Sequence, residues 1–89
     1  MSINQQNLNE HISEWAIYHL TLRVFTQPDK TIKYGILDLG ASFSKVEKAF
    51  IYTPMPSYRE DWFYNDCRYD TIQEALVDIN YILDNPDKF

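Results

Sequence analysis

The sequence predicts an α+β domain: an antiparallel sheet of three to four strands, with a C-terminal amphipathic helix on one face and a short N-terminal helix. Three observations predict it. Between Tyr69 and Leu83 the apolar residues Ile72, Ala75, Leu76, Ile79, Ile82 and Leu83 recur with helical spacing. Upstream, the stretches Trp15–Phe25, Thr31–Leu39 and Phe43–Thr53 alternate in hydrophobicity with the period of two that a strand requires. The segments between them are short, which favours antiparallel neighbours over crossovers.

In chain order, residues 1–9 are polar and rich in Asn and Gln, and the first six are expected to fray. Asn7 and Glu10 have the spacing of a helix start, and Leu8, Ile12 and Trp15 supply an apolar stripe. A short helix is therefore expected over Leu8–Glu14, held by packing. In the first strand Ala16, Tyr18, Leu20, Leu22 and Val24 form the expected core face, with Ile17, His19, Thr21 and Arg23 on the other. Thr26–Lys30 is a turn in which Pro28 fixes the backbone and Asp29 can bond its own neighbours.

The second strand sets Ile32, Tyr34 and Ile36 on one face but Leu37 and Leu39 on the other, which a bulge at Gly35 would reconcile. After a turn at Gly40–Ser42, the third strand alternates Val46, Lys48, Phe50 and Tyr52 with Glu47, Ala49 and Ile51. A helix over Lys45–Phe50 is the alternative. Pro54 and Pro56 break the order. Trp62–Arg68 reads as a short fourth strand, with Trp62 and Tyr64 on one side and Phe63 and Asn65 on the other. The closing helix is expected to be capped by Asp70 with Gln73, to carry Glu74, Asp78, Tyr81 and Asp84 on its polar face, and to stop at Asn85-Pro86.

Eighty-nine residues make one domain, spanning 1–89, and a chain of this size buries only about 60–65% of its extended surface. Aromatic residues make up 16% of the chain, and each buried ring, removing roughly 150–250 Å² from water, offsets the small size. The single cysteine, Cys67, rules out an internal disulfide. With neither a leader nor an apolar run of spanning length, the expectation is a soluble, cytoplasmic protein.

The net charge of −5 is unevenly spread. Residues 1–58 hold five acids and five bases, whereas residues 59–89 hold eight acids against Arg59, Arg68 and Lys88. Such a field repels phosphate backbones and attracts basic partners. Nucleotide chemistry by a Gly-rich loop is disfavoured, because Gly35 and Gly40 are the only glycines. A thiol nucleophile would need Cys67 beside His11 or His19, and His11 with Glu14 supplies two metal ligands where three or four are needed. No enzyme, cofactor or metal site is expected.

Tyr58 to Asp70 packs five aromatics, four acids and two arginines into thirteen residues. Trp, Tyr and Arg are the types that anchor protein interfaces. The expected partner-binding residues are Tyr58, Trp62 and Tyr64 as anchors, with Glu60, Asp61, Asp66, Glu74 and Asp78 as charge partners. A homodimer is left open. In size, acidity and lack of catalytic residues the chain resembles small phage- or plasmid-encoded inhibitors, such as anti-CRISPR and DNA-mimic proteins. The resemblance is one of type across the whole chain with no motif behind it, so no residue role is carried over. It implies a stoichiometric inhibitor occupying the basic, nucleic-acid-binding surface of a host defence protein. A second reading is an immunity or assembly protein whose contacts with another small protein are apolar. A third is a nucleic-acid-binding sheet centred on Lys33, Tyr34, Lys45 and Lys48, with a pI near 4.7 against it.

Overall fold

A computed structural model describes residues 13–26, 29–52 and 61–89. The domain is α+β, as its periodicities predict. Among these residues five strands, β1 (Glu14–Ile17), β2 (Leu20–Thr26), β3 (Ile32–Asp38), β4 (Ala41–Ser44) and β5 (Ala49–Ile51), form an antiparallel meander in sequence order. Two helices follow, α1 (Asp61–Cys67) and α2 (Ile72–Asp84), then a 3-10 turn at Pro86–Lys88. The helix expected over Leu8–Glu14 lies outside the described residues except at its end, where Glu14 already belongs to β1.

The strand count rises to five because two of the expected strands each fold back on themselves. The first turns at Tyr18–His19, so that Ile17 faces Leu20 and Trp15 faces Leu22. A two-residue turn shifts the side-chain alternation by one, and residues opposed across a ladder share a face. Trp15 and Ile17 therefore join Leu20 and Leu22 in the core, while Ala16 is exposed. The turn places Tyr18 in the left-handed region, at φ 57°. Lys45–Lys48 breaks the third expected strand, closed by Lys48 N–H donating to Ser44 O at 2.8 Å and Glu47 N–H to Ser44 Oγ at 3.0 Å. In the β2–β3 connection, Asp29 Oδ1 accepts from the Thr31 N–H at 3.1 Å and from its hydroxyl at 2.6 Å. Those bonds hold the exposed Asp29 carboxyl below its ordinary range.

The ladder between β2 and β3 runs from Thr21↔Leu37 to Thr26↔Ile32 without the bulge expected at Gly35. Gly35 is instead a point of close approach. A β-carbon there would stand 2.8 Å from Phe25 Cε2 and 2.9 Å from Arg68 Nη1. Arg68 is buried, with its guanidinium 3.9 Å from the Phe25 ring centroid, so neither neighbour can swing freely away. Gly35→Ala is expected to cost about 1–3 kcal/mol through overpacking, measured by chemical denaturation. A loss below a few tenths would show that the contact yields.

One sheet face carries the main core. Trp15, Ile17, Leu20, Leu22, Ile36 and Phe43 meet Ala75, Leu76, Ile79 and Ile82 of α2. The α2 stripe is the predicted one. Its cap is one residue later: Thr71 Oγ1 accepts from the Glu74 N–H at 3.2 Å. Asp70 pairs with Lys33 instead, and this contact holds its exposed carboxyl below the ordinary range. Phe89 closes the end of the core against Phe43, Phe50 and Tyr81, at 5.6, 6.1 and 5.9 Å between centroids. Tyr81, expected on the polar face, is thus half-buried.

The other face carries α1, where the sequence suggests a fourth strand. Phe63 and Cys67, four residues apart, share one side of this helix, and both are fully buried. α1 contacts β4, whose Ser42 and Ser44 are buried. Lys45 N–H donates to Asp66 O at 2.8 Å. The chain then crosses between the faces beside β3. β4 pairs only with Leu37 and Asp38 of β3, which leaves the edge at Tyr34 open, and Tyr69 occupies it. Tyr34 and Tyr69 exchange two backbone hydrogen bonds, at 2.9 and 2.7 Å. Arg68 consequently sits against Phe25 and Phe63, while Tyr69, the next residue, enters the α2 core.

Candidate functional site

The two periodicities of the chain converge on one groove. From the sheet, Ala49 and Ile51 are two residues apart on β5 and share a side, and Glu47 of the preceding turn joins them. From α1, Trp62 and Asp66 are four residues apart and share a side as well. Among the described residues these five line an open groove of about 500 Å³. Its lining combines the aliphatic side chains of Ala49 and Ile51, the Trp62 indole and the carboxylates of Glu47 and Asp66. Trp62 is 44% exposed, against none for its neighbour Phe63. The Phe63 ring edge fixes it at 6.0 Å between centroids. Among the described residues β5 is also an edge strand of the sheet.

The expected partner-binding residues do not all meet here. Trp62 and Asp66 do. Tyr64 is half-buried with its ring 5.6 Å from Phe63. Glu74 is exposed in the first turn of α2, on a different element. Tyr58 and Glu60 lie outside the described residues, and Asp61 opens α1. Asp78 is a correction, since it is 6% exposed and turned inward. Its Oδ2 accepts the Tyr69 hydroxyl at 2.5 Å and its Oδ1 accepts Lys48 Nζ at 3.0 Å. An acid so engaged is not available to a partner.

The lysines of the nucleic-acid reading are engaged as well. Lys33 pairs with Asp70, Lys48 with Asp78, and Lys45 Nζ stands 5.3 Å from the Tyr69 ring centroid. Tyr34 packs against the core. A sheet that reads nucleic acid needs lysines and ring faces turned to solvent, whereas here Tyr34 is partly buried and each of the three partly exposed lysines is engaged with an acid or a ring of the protein itself. Burial closes off the thiol of Cys67, whereas His19 is exposed on the β1–β2 turn. Among the described residues no group of three or more His, Cys, Asp or Glu could hold a metal ion. None of the described helices is long and apolar enough to cross a membrane.

A second exposed feature was not legible in the sequence. The Tyr18–His19 and Leu39–Gly40 turns lie at one end of the sheet, and Tyr52, following β5, returns to that end. Tyr18, Leu39 and Tyr52 are all exposed there, Leu39 to 99%. Leu39 also takes φ 50°, a conformation that Asn or Gly adopts more readily.

The fold and groove together define a small α+β meander domain with an acidic, aromatic cleft. No protein-family model matches the chain, and neither does any curated protein or solved structure.

Proposed function

We propose that this is a non-enzymatic cytoplasmic protein that binds a protein partner through an acidic, aromatic surface. The partner is a protein with a basic, nucleic-acid-binding surface, and the protein acts as a stoichiometric inhibitor of the anti-CRISPR or DNA-mimic type that its composition resembles. The observation that carries the reading is the groove that exposed Trp62 lines together with Asp66 and Glu47. An exposed indole flanked by carboxylates suits a cationic protein surface. The engagement of Lys33, Lys45 and Lys48 within the fold supports it, because it leaves the acidic surplus of the C-terminal third to dominate the outer field.

The experiment is capture from nuclease-treated host lysate at low salt, followed by stepwise salt elution. The expected result is a basic nucleic-acid-binding protein that elutes as salt rises, because exposed charge pairs weaken as the Debye length shrinks. That protein should lose its nucleic acid when the present chain is added at equal concentration. Retention of nothing at low salt counts against the proposal. A partner that stays bound through high salt favours the second reading, an immunity or assembly protein docking apolar groups such as Tyr18, Leu39 and Tyr52.

A further inference from the structure

We propose that the groove between β5 and α1 receives one arginine side chain of the partner, its guanidinium stacked on Trp62 and hydrogen-bonded to Glu47 and Asp66. The inference rests on the reading that the partner is basic, and it names the group that the groove takes. Three features select a guanidinium. The lining that Ala49 and Ile51 supply is apolar and suits the methylene stem of a long cationic side chain. The indole face attracts a planar cation, and Trp is the strongest such face among the side chains. Two carboxylates line the groove from different elements, Glu47 from the turn before β5 and Asp66 from α1, and together they complement a fork that presents five donors in one plane.

Lysine fits less well. Its ammonium is a compact, strongly hydrated point charge, and it cannot stack on a ring while donating sideways to both acids. The protein already uses the same chemistry internally. Arg68 lies with its guanidinium 3.9 Å from the Phe25 centroid and 4.9 Å from that of Phe63, and its Nη1 donates to Cys67 O at 2.9 Å. The groove lines a surface site with the same kinds of group, a ring and hydrogen-bond acceptors, with carboxylates in place of the carbonyl.

The test uses the full chain, isotope-labelled, titrated by nuclear magnetic resonance with capped tripeptides of Gly-Arg-Gly, Gly-Lys-Gly and Gly-citrulline-Gly. The arginine peptide is expected to bind weakly and to shift the Trp62 indole N–H together with the amides of Glu47, Ala49, Ile51 and Asp66. The indole of Trp15, buried in the main core, should not move. Binding should weaken several-fold for lysine, vanish for the uncharged citrulline, and fall as salt rises from about 50 to about 500 mM. Trp62→Ala and the double change Glu47→Gln with Asp66→Asn should each weaken it about tenfold or more. The circular dichroism of both variants should stay that of the parent.

Equal binding of the lysine or citrulline peptide would overturn the assignment. So would arginine-induced shifts confined to Glu74 and the outer side of α2. If a basic partner is captured from lysate and the groove variants leave its affinity unchanged, the arginine site falls while the wider reading stands. If the peptide binds as expected but no basic partner is captured, the site stands and the wider reading falls.

Discussion

Replacing Phe63 by alanine should destabilise the protein by about 3–5 kcal/mol, the largest effect expected of any single truncation on the α1 side of the sheet. Phe63 is fully buried, its ring packs edge-on against Trp62 and Tyr64, and the Arg68 guanidinium stands 4.9 Å from its centroid. Truncation removes the largest fully buried side chain that α1 places on this face, where β4 itself offers only Ser42 and Ser44. For a domain of this size the total stability is about 5–13 kcal/mol, so the loss is a large fraction. The melting temperature should fall by more than about 12 °C. Trp62→Ala is the control. Its ring is 44% exposed, and the change should cost less than about 1.5 kcal/mol. Equal losses for the two, in urea denaturation, would mean that α1 does not dock on this side through Phe63.

The second large effect is expected at Asp78. Asp78→Ala leaves the Tyr69 hydroxyl buried without its acceptor and leaves Lys48 without its carboxylate. The expected loss is about 2–4 kcal/mol, most of it from the stranded hydroxyl. Lys48 is half exposed, so its ion pair contributes under about 1 kcal/mol. Tyr69→Phe should therefore cost less than Asp78→Ala, and in the Tyr69→Phe background the Asp78 change should cost less than in the parent. Additive losses would show that the two groups are not coupled.

The same contact makes a pH prediction. Burial, reinforced by the hydrogen bond to Asp78 and by its charge, pushes the Tyr69 phenol well above its ordinary value of 10. A group whose pKa is raised by folding contributes stability that is complete below the unfolded value and is lost as pH rises. Above about pH 10 this one residue should cost about 1.4 kcal/mol per pH unit. The measurement is urea denaturation between neutral and strongly alkaline pH, with Tyr69→Phe compared to the parent. The variant should show a shallower alkaline decline, and parallel declines would remove Tyr69 as its cause.

Two of the five groove residues were legible in the sequence. Trp62 and Asp66 were singled out there because they lie in the one stretch dense in rings and acids. Glu47, Ala49 and Ile51 carried no local signal. They become part of the site only because the fold brings the end of the sheet and α1 to a common groove, a proximity set by the strand order. Asp78 was misplaced for a related reason. Periodicity assigns a carboxylate to the wet side of a helix, and only the tyrosine and lysine that meet it explain its burial.

By itself the sequence determined what depends on neighbours along the chain. This includes the apolar stripe of α2 and its stop at Asn85-Pro86, the period-two runs that become the sheet, the Asp29 turn, and the concentration of charge in the last third. Tertiary structure decided where a residue turns and which face finds cover. Tyr18–His19 closes a hairpin with none of the usual turn residues, because the pairing of Trp15 with Leu22 and Ile17 with Leu20 stabilises it from outside. The aromatic run at Trp62–Tyr64 has the composition of a strand. It coils because Phe63 and Cys67 can together cover the second sheet face. The physical reason is common to both: side-chain alternation is written locally, whereas burial depends on long-range pairing that a single repeat does not encode.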